Sequence, residues 1–284
     1  MTVPSSDAVL CDVTDTSSEE LSGFILKKVM EKVKFPDNIS RVSLCLYEGP
    51  PGQGGMQGGG APVTSALVLL SGGLDSTTVL AYALKKGYDV ATLSFDYGQR
   101  HNIELLSSRS VADFYGVENT VFKIDLRQVG GSSLTSEMPV EKRDIEKIGE
   151  SVPNTYVPGR NTIFLSVAAA IAEVRGGIDR IMIGANAIDY SGYPDCRPAY
   201  FSAMERALSL GTRIGNEKGG FHIEVPLQYL SKAEIIRLGS SLGAPYHLTT
   251  SCYEGKRPAC GRCDSCQLRL RGLHGGGPKR PAGI

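Results

Sequence analysis

The sequence predicts a doubly wound α/β fold, a parallel sheet with helices on both faces. Three observations carry this reading. Short apolar runs alternate with helix-period segments from residue 65 to residue 242, and such alternation joins each parallel strand to the next through a helix. The first unit, Leu67-Val68-Leu69-Leu70-Ser71-Gly72-Gly73-Leu74-Asp75-Ser76, runs an apolar strand straight into a glycine turn and a helix, the context in which phosphate loops occur. An apolar content of 41% over 284 residues is ample for the core of one large domain plus an appendage.

In chain order, residues 1 to 10 lack any pattern. Ser17 and Glu20 form a capping box ahead of an amphipathic helix carrying Leu21, Phe24, Ile25, Val29 and Val33. Val42, Leu44 and Leu46 alternate as a strand. Residues 51 to 64 read as a Gly/Pro-rich linker. One helix and one strand in residues 1 to 50 are too few to bury a core alone. Strands are then expected at 66–70, 90–95, 120–124, 181–184 and 222–225. Helices are expected at 76–86, up to Tyr115 before Gly116, at 162–174, at 197–210, and from the capping box Ser231/Glu234 to Leu242. Residues 130 to 158, rich in Gly and Pro, read as a long loop over the sheet edge, and residues 272 to 284 as a disordered tail. In such sheets ligands sit at the carboxyl ends of the strands. The segments 71–76, 96–101 and 185–197 should therefore converge.

The glycine turn is the strongest phosphate signal. Gly72 and Gly73 can adopt positive φ and admit a ligand to the backbone. Ser71, Asp75 and Ser76 add short polar groups where helix N–H groups lack partners. The result is a ring of donors at a positive helix end, suited to an oligophosphate. It is not a Walker A loop, because no Lys follows the glycines. A plain strand-to-helix turn is the competing reading.

Lys plus Arg and Asp plus Glu number 30 each, so no basic surface asks for nucleic acid. No apolar run spans a bilayer and no basic-then-apolar leader opens the chain; the expected site is the cytoplasm. Of seven cysteines, four form Cys252-x7-Cys260-x2-Cys263-x2-Cys266. Four thiolates at this spacing can close a tetrahedron around Zn²⁺ with no position left for water, a structural site; an iron–sulfur cluster competes. Two loops hold the densest polar chemistry. Tyr156-Val157-Pro158-Gly159-Arg160-Asn161 offers Arg160, with a helix cap at Asn161 and a surface ion pair as the bland alternative. Residues 184 to 198 offer Asp189, Tyr190, Tyr193, Asp195 and Cys196 to a small polar ligand.

The string Ser-Gly-Gly-Leu-Asp-Ser resembles the pyrophosphate loop (PP-loop) of the ATP-pyrophosphatases, enzymes with a Rossmann-like adenine nucleotide α-hydrolase fold that split ATP between the α and β phosphates. Residues 66 to about 271 resemble the 7-cyano-7-deazaguanine synthase family through Leu70 to Thr77, Asp96 to His101, Tyr156 to Asn161, Asp189 to Pro198, Leu230 to Ile235 and the cysteine quartet. The resemblance implies conversion of 7-carboxy-7-deazaguanine and ammonia to the nitrile precursor of queuosine, with two ATP as adenylating agent. It implies one zinc on Cys252, Cys260, Cys263 and Cys266, Mg²⁺ on the phosphates, and a homodimer. ATP would lie on Leu70, Ser71, Gly72, Gly73, Leu74, Asp75, Ser76, Thr77, Thr78, Val79 and Leu80. Ser71, Asp75 and Lys232 would serve the chemistry: Asp75 orients the loop or binds Mg²⁺, and Lys232 reaches a phosphate. A carboxylate, Asp189 or Asp195, would read the heterocycle's N–H pair, with Tyr190 or Tyr193 stacking and Arg160 beside them. Ammonia is expected to enter free, since outside the quartet only Cys11, Cys45 and Cys196 remain to serve a glutaminase. The N-terminal segment resembles the last third of the 6-pyruvoyl- or 6-carboxy-tetrahydropterin synthases through Ser18 to Leu21 and Tyr47 to Pro50, with Glu48 as the pterin-binding counterpart; it lacks their zinc histidines. Three alternatives stand: a related enzyme amidating or ligating a deazaguanine to another acceptor, a tRNA-thiolating enzyme, and a catalytically silent nucleotide sensor.

Overall fold

A computed structural model describes residues 64–148, 150–187 and 193–275, all within the compact unit Pro62–Arg280. The readings made for residues 1 to 63, for Asp189 and Tyr190, and for the tail beyond residue 275 lie outside the described residues.

The sheet has five parallel strands in the order β3-β2-β1-β4-β5: β1 (Ser65–Leu69), β2 (Asp89–Asp96), β3 (Asn119–Lys123), β4 (Ile178–Met182) and β5 (His222–Glu224). The helices are α1 (Leu74–Lys85), α2 (Ile103–Tyr115), α3 (Arg160–Arg175), α4 (Pro198–Gly211), α5 (Arg213–Lys218), α6 (Lys232–Ser241) and α7 (Asp264–Leu273). Leu67 of β1 pairs with Ala91 on β2 and with Ile181 on β4. Central β1 is covered on both faces, and its Ala66, Leu67 and Val68 are wholly buried, as a parallel strand requires. Order reverses beside β1, with β2 on one side and β4 on the other. That switch point opens a crevice at the carboxyl end of the sheet.

Several elements differ from expectation for physical reasons. Strand β4 begins at Ile178, earlier than the apolar run suggests, because Arg180 is buried within it and paired with Glu224 of β5 at 2.6 Å. Asn161 does not cap α3. Gly159 does, with φ +69°, while the Asn161 side chain turns inward and donates to the Asp195 carbonyl at 3.0 Å. Residues 130 to 158 do not simply cover the sheet edge. Leu134 and Val157 enter the main core, Val140 packs on Cys252, Cys263 and Cys266, and Arg143 holds Asp264 of α7 with its Nε at 2.9 Å. Helix α7 continues through Leu273, into the expected tail. Gly272 there lies so close to Lys232 and Ile236 of α6 that a Cβ would meet both at 2.8 Å. The capping box of α6 is present as read: both halves, Ser231 to the backbone and Glu234 to the Ser231 N–H at 2.8 Å, are formed.

Candidate active site

The glycine turn is built by three constraints. Gly72 has φ +79° and a Cβ there would lie 2.4 Å from the Glu104 carbonyl oxygen and 2.5 Å from the Ser108 nitrogen. Only glycine lets β1 turn against α2 this tightly. Gly73, by contrast, is extended (φ −84°, ψ 171°) and caps α1, so of the two glycines only the first uses the left-handed region. The Ser76 hydroxyl is 3.0 Å from that of Ser71, accepts from the Ser71 N–H at 3.2 Å and donates to the Gly73 carbonyl at 3.2 Å, closing the loop on itself. Thr250 donates its N–H to the Gly72 carbonyl at 3.0 Å, tying the loop to the segment that leads into the cysteines.

A cavity of ≈ 240 Å³ opens over this loop at the switch point. One end is polar and cationic: Ser71, Gly73, Asp75 and Ser76 meet Lys232 and Arg269. Lys232, buried at the start of α6, holds both carboxylate oxygens of Asp75 at 2.8 Å. Arg269 of α7 is aimed by Thr249, Ser251 and the Tyr246 carbonyl at 2.8 to 3.1 Å, and burial lowers its pKa from the usual guanidinium value. The other end is aromatic. Phe95 and Phe164 stack with centroids 3.8 Å apart, and Tyr97 stands edge-on to Phe164 at 5.5 Å. Tyr193 and Tyr253 join this wall, and the Tyr193 hydroxyl bonds that of Thr155 at 2.8 Å.

The expected convergence is observed: segments after β1, β2 and β4 line one cavity. Of the predicted nucleotide residues, Leu70, Ser71, Gly73, Leu74, Asp75 and Ser76 are on its wall. Gly72 supports the turn from behind, and Thr77, Thr78, Val79 and Leu80 are buried in α1, with the Thr78 hydroxyl 2.7 Å from that of Tyr246. Arg160 and Tyr193 line the cavity. Asp195 is not on the wall. It is buried behind it with neither carboxylate oxygen in a well-formed hydrogen bond; burial raises its pKa, and the Arg160 charge works against that rise. Burial pushes the Cys196 thiol up to about 12, so it remains a thiol rather than a nucleophilic thiolate. Sequence reasoning missed Glu104, whose carboxyl burial pushes up to about 7 against the pull of Arg160, and Arg269. Glu104 follows the Asp96–His101 motif by three positions, a signal that was available; Arg269 had none beyond its nearness to the quartet.

The cysteine sulfurs of residues 252, 260, 263 and 266 all lie within 4.8 Å of one another. Backbone N–H groups of Arg262 and Cys263 point at the Cys260 sulfur at 3.5 and 3.4 Å, as donors do toward a metal-bound thiolate. Four sulfurs at this mutual distance fit a tetrahedral zinc and fill its shell. The quartet stands beside the cavity rather than in it: Tyr253 and Ser265, each next to a cysteine, are on the cavity wall.

The family model described as "Queuosine biosynthesis protein QueC" matches residues 65–276. The chain belongs to the QueC family. It is 62% identical over 216 residues to the 7-cyano-7-deazaguanine synthase of Thermoplasma acidophilum, spanning 76% of this chain and 90% of that one. It is 64% identical over 208 residues to the synthase of Thermoplasma volcanium, spanning 73% and 86%. A bacterial relative, the synthase of Geobacter sulfurreducens, is 55% identical over 212 residues, spanning 73% and 88%. For this QueC family member the matched region coincides with the described domain, and it contains the glycine loop, the cavity and the quartet. Among the described residues no helix is long and apolar enough to cross a membrane.

Proposed function

We propose that this chain is a 7-cyano-7-deazaguanine synthase, making the nitrile from 7-carboxy-7-deazaguanine, ammonia and two ATP. The observation that carries the reading is one cavity with a phosphate-type loop at one end and flat aromatic walls at the other, in a chain 62% identical to a synthase of that name. A carboxylate resists amines because its oxygen leaves poorly. Transfer of AMP to it, with release of pyrophosphate, makes that oxygen a good leaving group. The Ser71–Ser76 loop would hold the departing pyrophosphate on its N–H groups and hydroxyls. Lys232 and Arg269 would carry the developing phosphate charge in a site screened from water, and Arg269, with its planar fork, suits two phosphate oxygens at once.

Both oxygens of Asp75 are engaged by Lys232, which favours the loop-orienting role for Asp75. Magnesium would then arrive on the phosphates of ATP and neutralise them. Ammonia attacks the acyl carbon, AMP departs, and the amide remains. A second adenylation, at the amide oxygen, lets that oxygen leave as AMP while the nitrogen loses its two protons to give the nitrile. The reading takes ammonia free rather than cut from glutamine: among the described residues the cysteine outside the quartet is Cys196, whose thiol burial raises. Zinc on the quartet would be structural, fixing α7 and with it Arg269. The same reading brings a homodimer acting in the cytoplasm on small molecules rather than on nucleic acid. Product mass and AMP count test it: the expected result is two AMP per nitrile, with nitrogen from labelled ammonium. Arrest at the amide with one AMP released would favour the amidating relative instead.

A further inference from the structure

The carboxylate expected to read the heterocycle was Asp189 or Asp195. Asp195 is behind the cavity wall and Asp189 lies outside the described residues. Among the described residues two carboxylates are on the wall, Asp75 and Glu104, and Asp75 is already held by Lys232. Glu104 sits in the first turn of α2, pressed against Gly72 by its backbone. Arg160, the first residue of α3, lines the same cavity. The two attract through space, yet no ion pair or hydrogen bond between them is formed among the described residues.

We propose that Glu104 and Arg160 read the hydrogen-bonding edge of the deazaguanine: Glu104 accepts from the ring N1–H and the exocyclic amino group, and Arg160 donates to the O6 carbonyl. This rests on the activity proposed above. An acceptor and a donor on the wall of one cavity, with no bond between them and the Arg160 Nε turned to the Asn161 oxygen at 3.3 Å, complement two adjacent N–H donors beside a carbonyl. The stacked Phe95 and Phe164 and edge-on Tyr97 offer flat surfaces to the ring. Adenine presents a donor next to an acceptor, for which an amide side chain is the match, so the nucleotide base is not the better partner. An ammonium ion is disfavoured by the neighbouring guanidinium, which Tyr97, Asp195 and Tyr193 hold charged against the cost of its burial. Burial raises the pKa of Glu104, and the substrate edge would supply two donors to its charged form.

The test is binding to the full-length enzyme by calorimetry without ATP, using carboxydeazaguanine and its analogue lacking the 2-amino group. Wild type should prefer the substrate by about tenfold or more. Glu104→Gln should lose that preference almost entirely, since one of its two head atoms becomes a donor, while its affinity for ATP stays unchanged. Equal discrimination by wild type and Glu104→Gln overturns the assignment, as does a loss confined to ATP. Where Glu104→Gln melts below wild type, Arg160→Lys reads the other half. Discrimination against an analogue lacking the O6 oxygen should fall about tenfold, and its persistence overturns the proposal. Absence of nitrile in the wild-type product assay would instead remove the proposed activity, leaving a result distinct from a failure of the Glu104 assignment.

Discussion

Replacing Gly72 by Ala and, separately, Gly73 by Ala separates the two roles of the glycine loop. At Gly72 the added methyl must take a left-handed backbone, which costs about 1–2 kcal/mol. It would also meet the Glu104 oxygen at 2.4 Å and the Ser108 nitrogen at 2.5 Å. Ordinary carbon–oxygen contact begins near 3.4 Å, so loop and α2 must separate by close to an ångström, and overpacking of this kind costs about 1–3 kcal/mol. The sum, about 2–5 kcal/mol, corresponds to a fall in Tm of about 4–20 °C for a domain of this size. A loop displaced by about 1 Å also costs on the order of 100-fold in rate. At Gly73 the backbone is ordinary and the methyl would lie 3.4 Å from the Ser71 hydroxyl and 3.6 Å from the Thr250 carbonyl. Gly73→Ala should therefore melt with wild type and, because Gly73 faces the cavity, raise the KM for ATP. Thermal melts and AMP release at saturating ATP read both variants. If Gly72→Ala melts and turns over as wild type, α2 does not abut the loop as described and the reasoning is refuted.

Lys232→Met leaves Asp75 without its partner and should cost about 3–5 kcal/mol along with AMP formation. Adding Asp75→Asn should restore the melting temperature but not the activity, as double-mutant melts will check. Cys263→Ser should lower bound zinc, measured by elemental analysis, and thermal stability together; unchanged melting in a metal-free variant would show the quartet misread. Deleting residues 1 to 62, which precede the family match at residue 65, should leave nitrile formation in a product assay nearly unchanged, as expected of a segment left from a fused neighbour.

The architecture was legible where local chemistry and tertiary fold agree. The strand–turn–helix of the glycine loop, the capping box at Ser231 and the glycine stop at Gly116 each depend on neighbours in sequence, and each stands where it was read. The start of β4 was hidden because Arg180, polar in sequence, is buried by a partner on another strand. Gly73 and Asn161 depart from what their residue types favour most often, because Gly73 caps α1 in extended backbone and Asn161 turns inward to the Asp195 carbonyl. The quartet was legible from spacing alone, whereas the aim of Arg269 depends on Thr249, Ser251 and Tyr246. No period or motif marks such a contact. Glu104 was passed over because a charged residue in a first helical turn is ordinarily solvated, and only the approach of α2 to Gly72 brings it inside.

The polar end of the cavity joins Ser71, just after β1, to Arg269, within α7. At a synthesis rate of about 5–20 residues per second, roughly 10–40 s separate the appearance of these two residues on the ribosome. The loop itself is completed late: α2 comes up against Gly72 early in that interval, but the Thr250 N–H that holds the Gly72 carbonyl and the Arg269 guanidinium both come near its end. The two halves of the polar wall therefore meet only after α7 has been made.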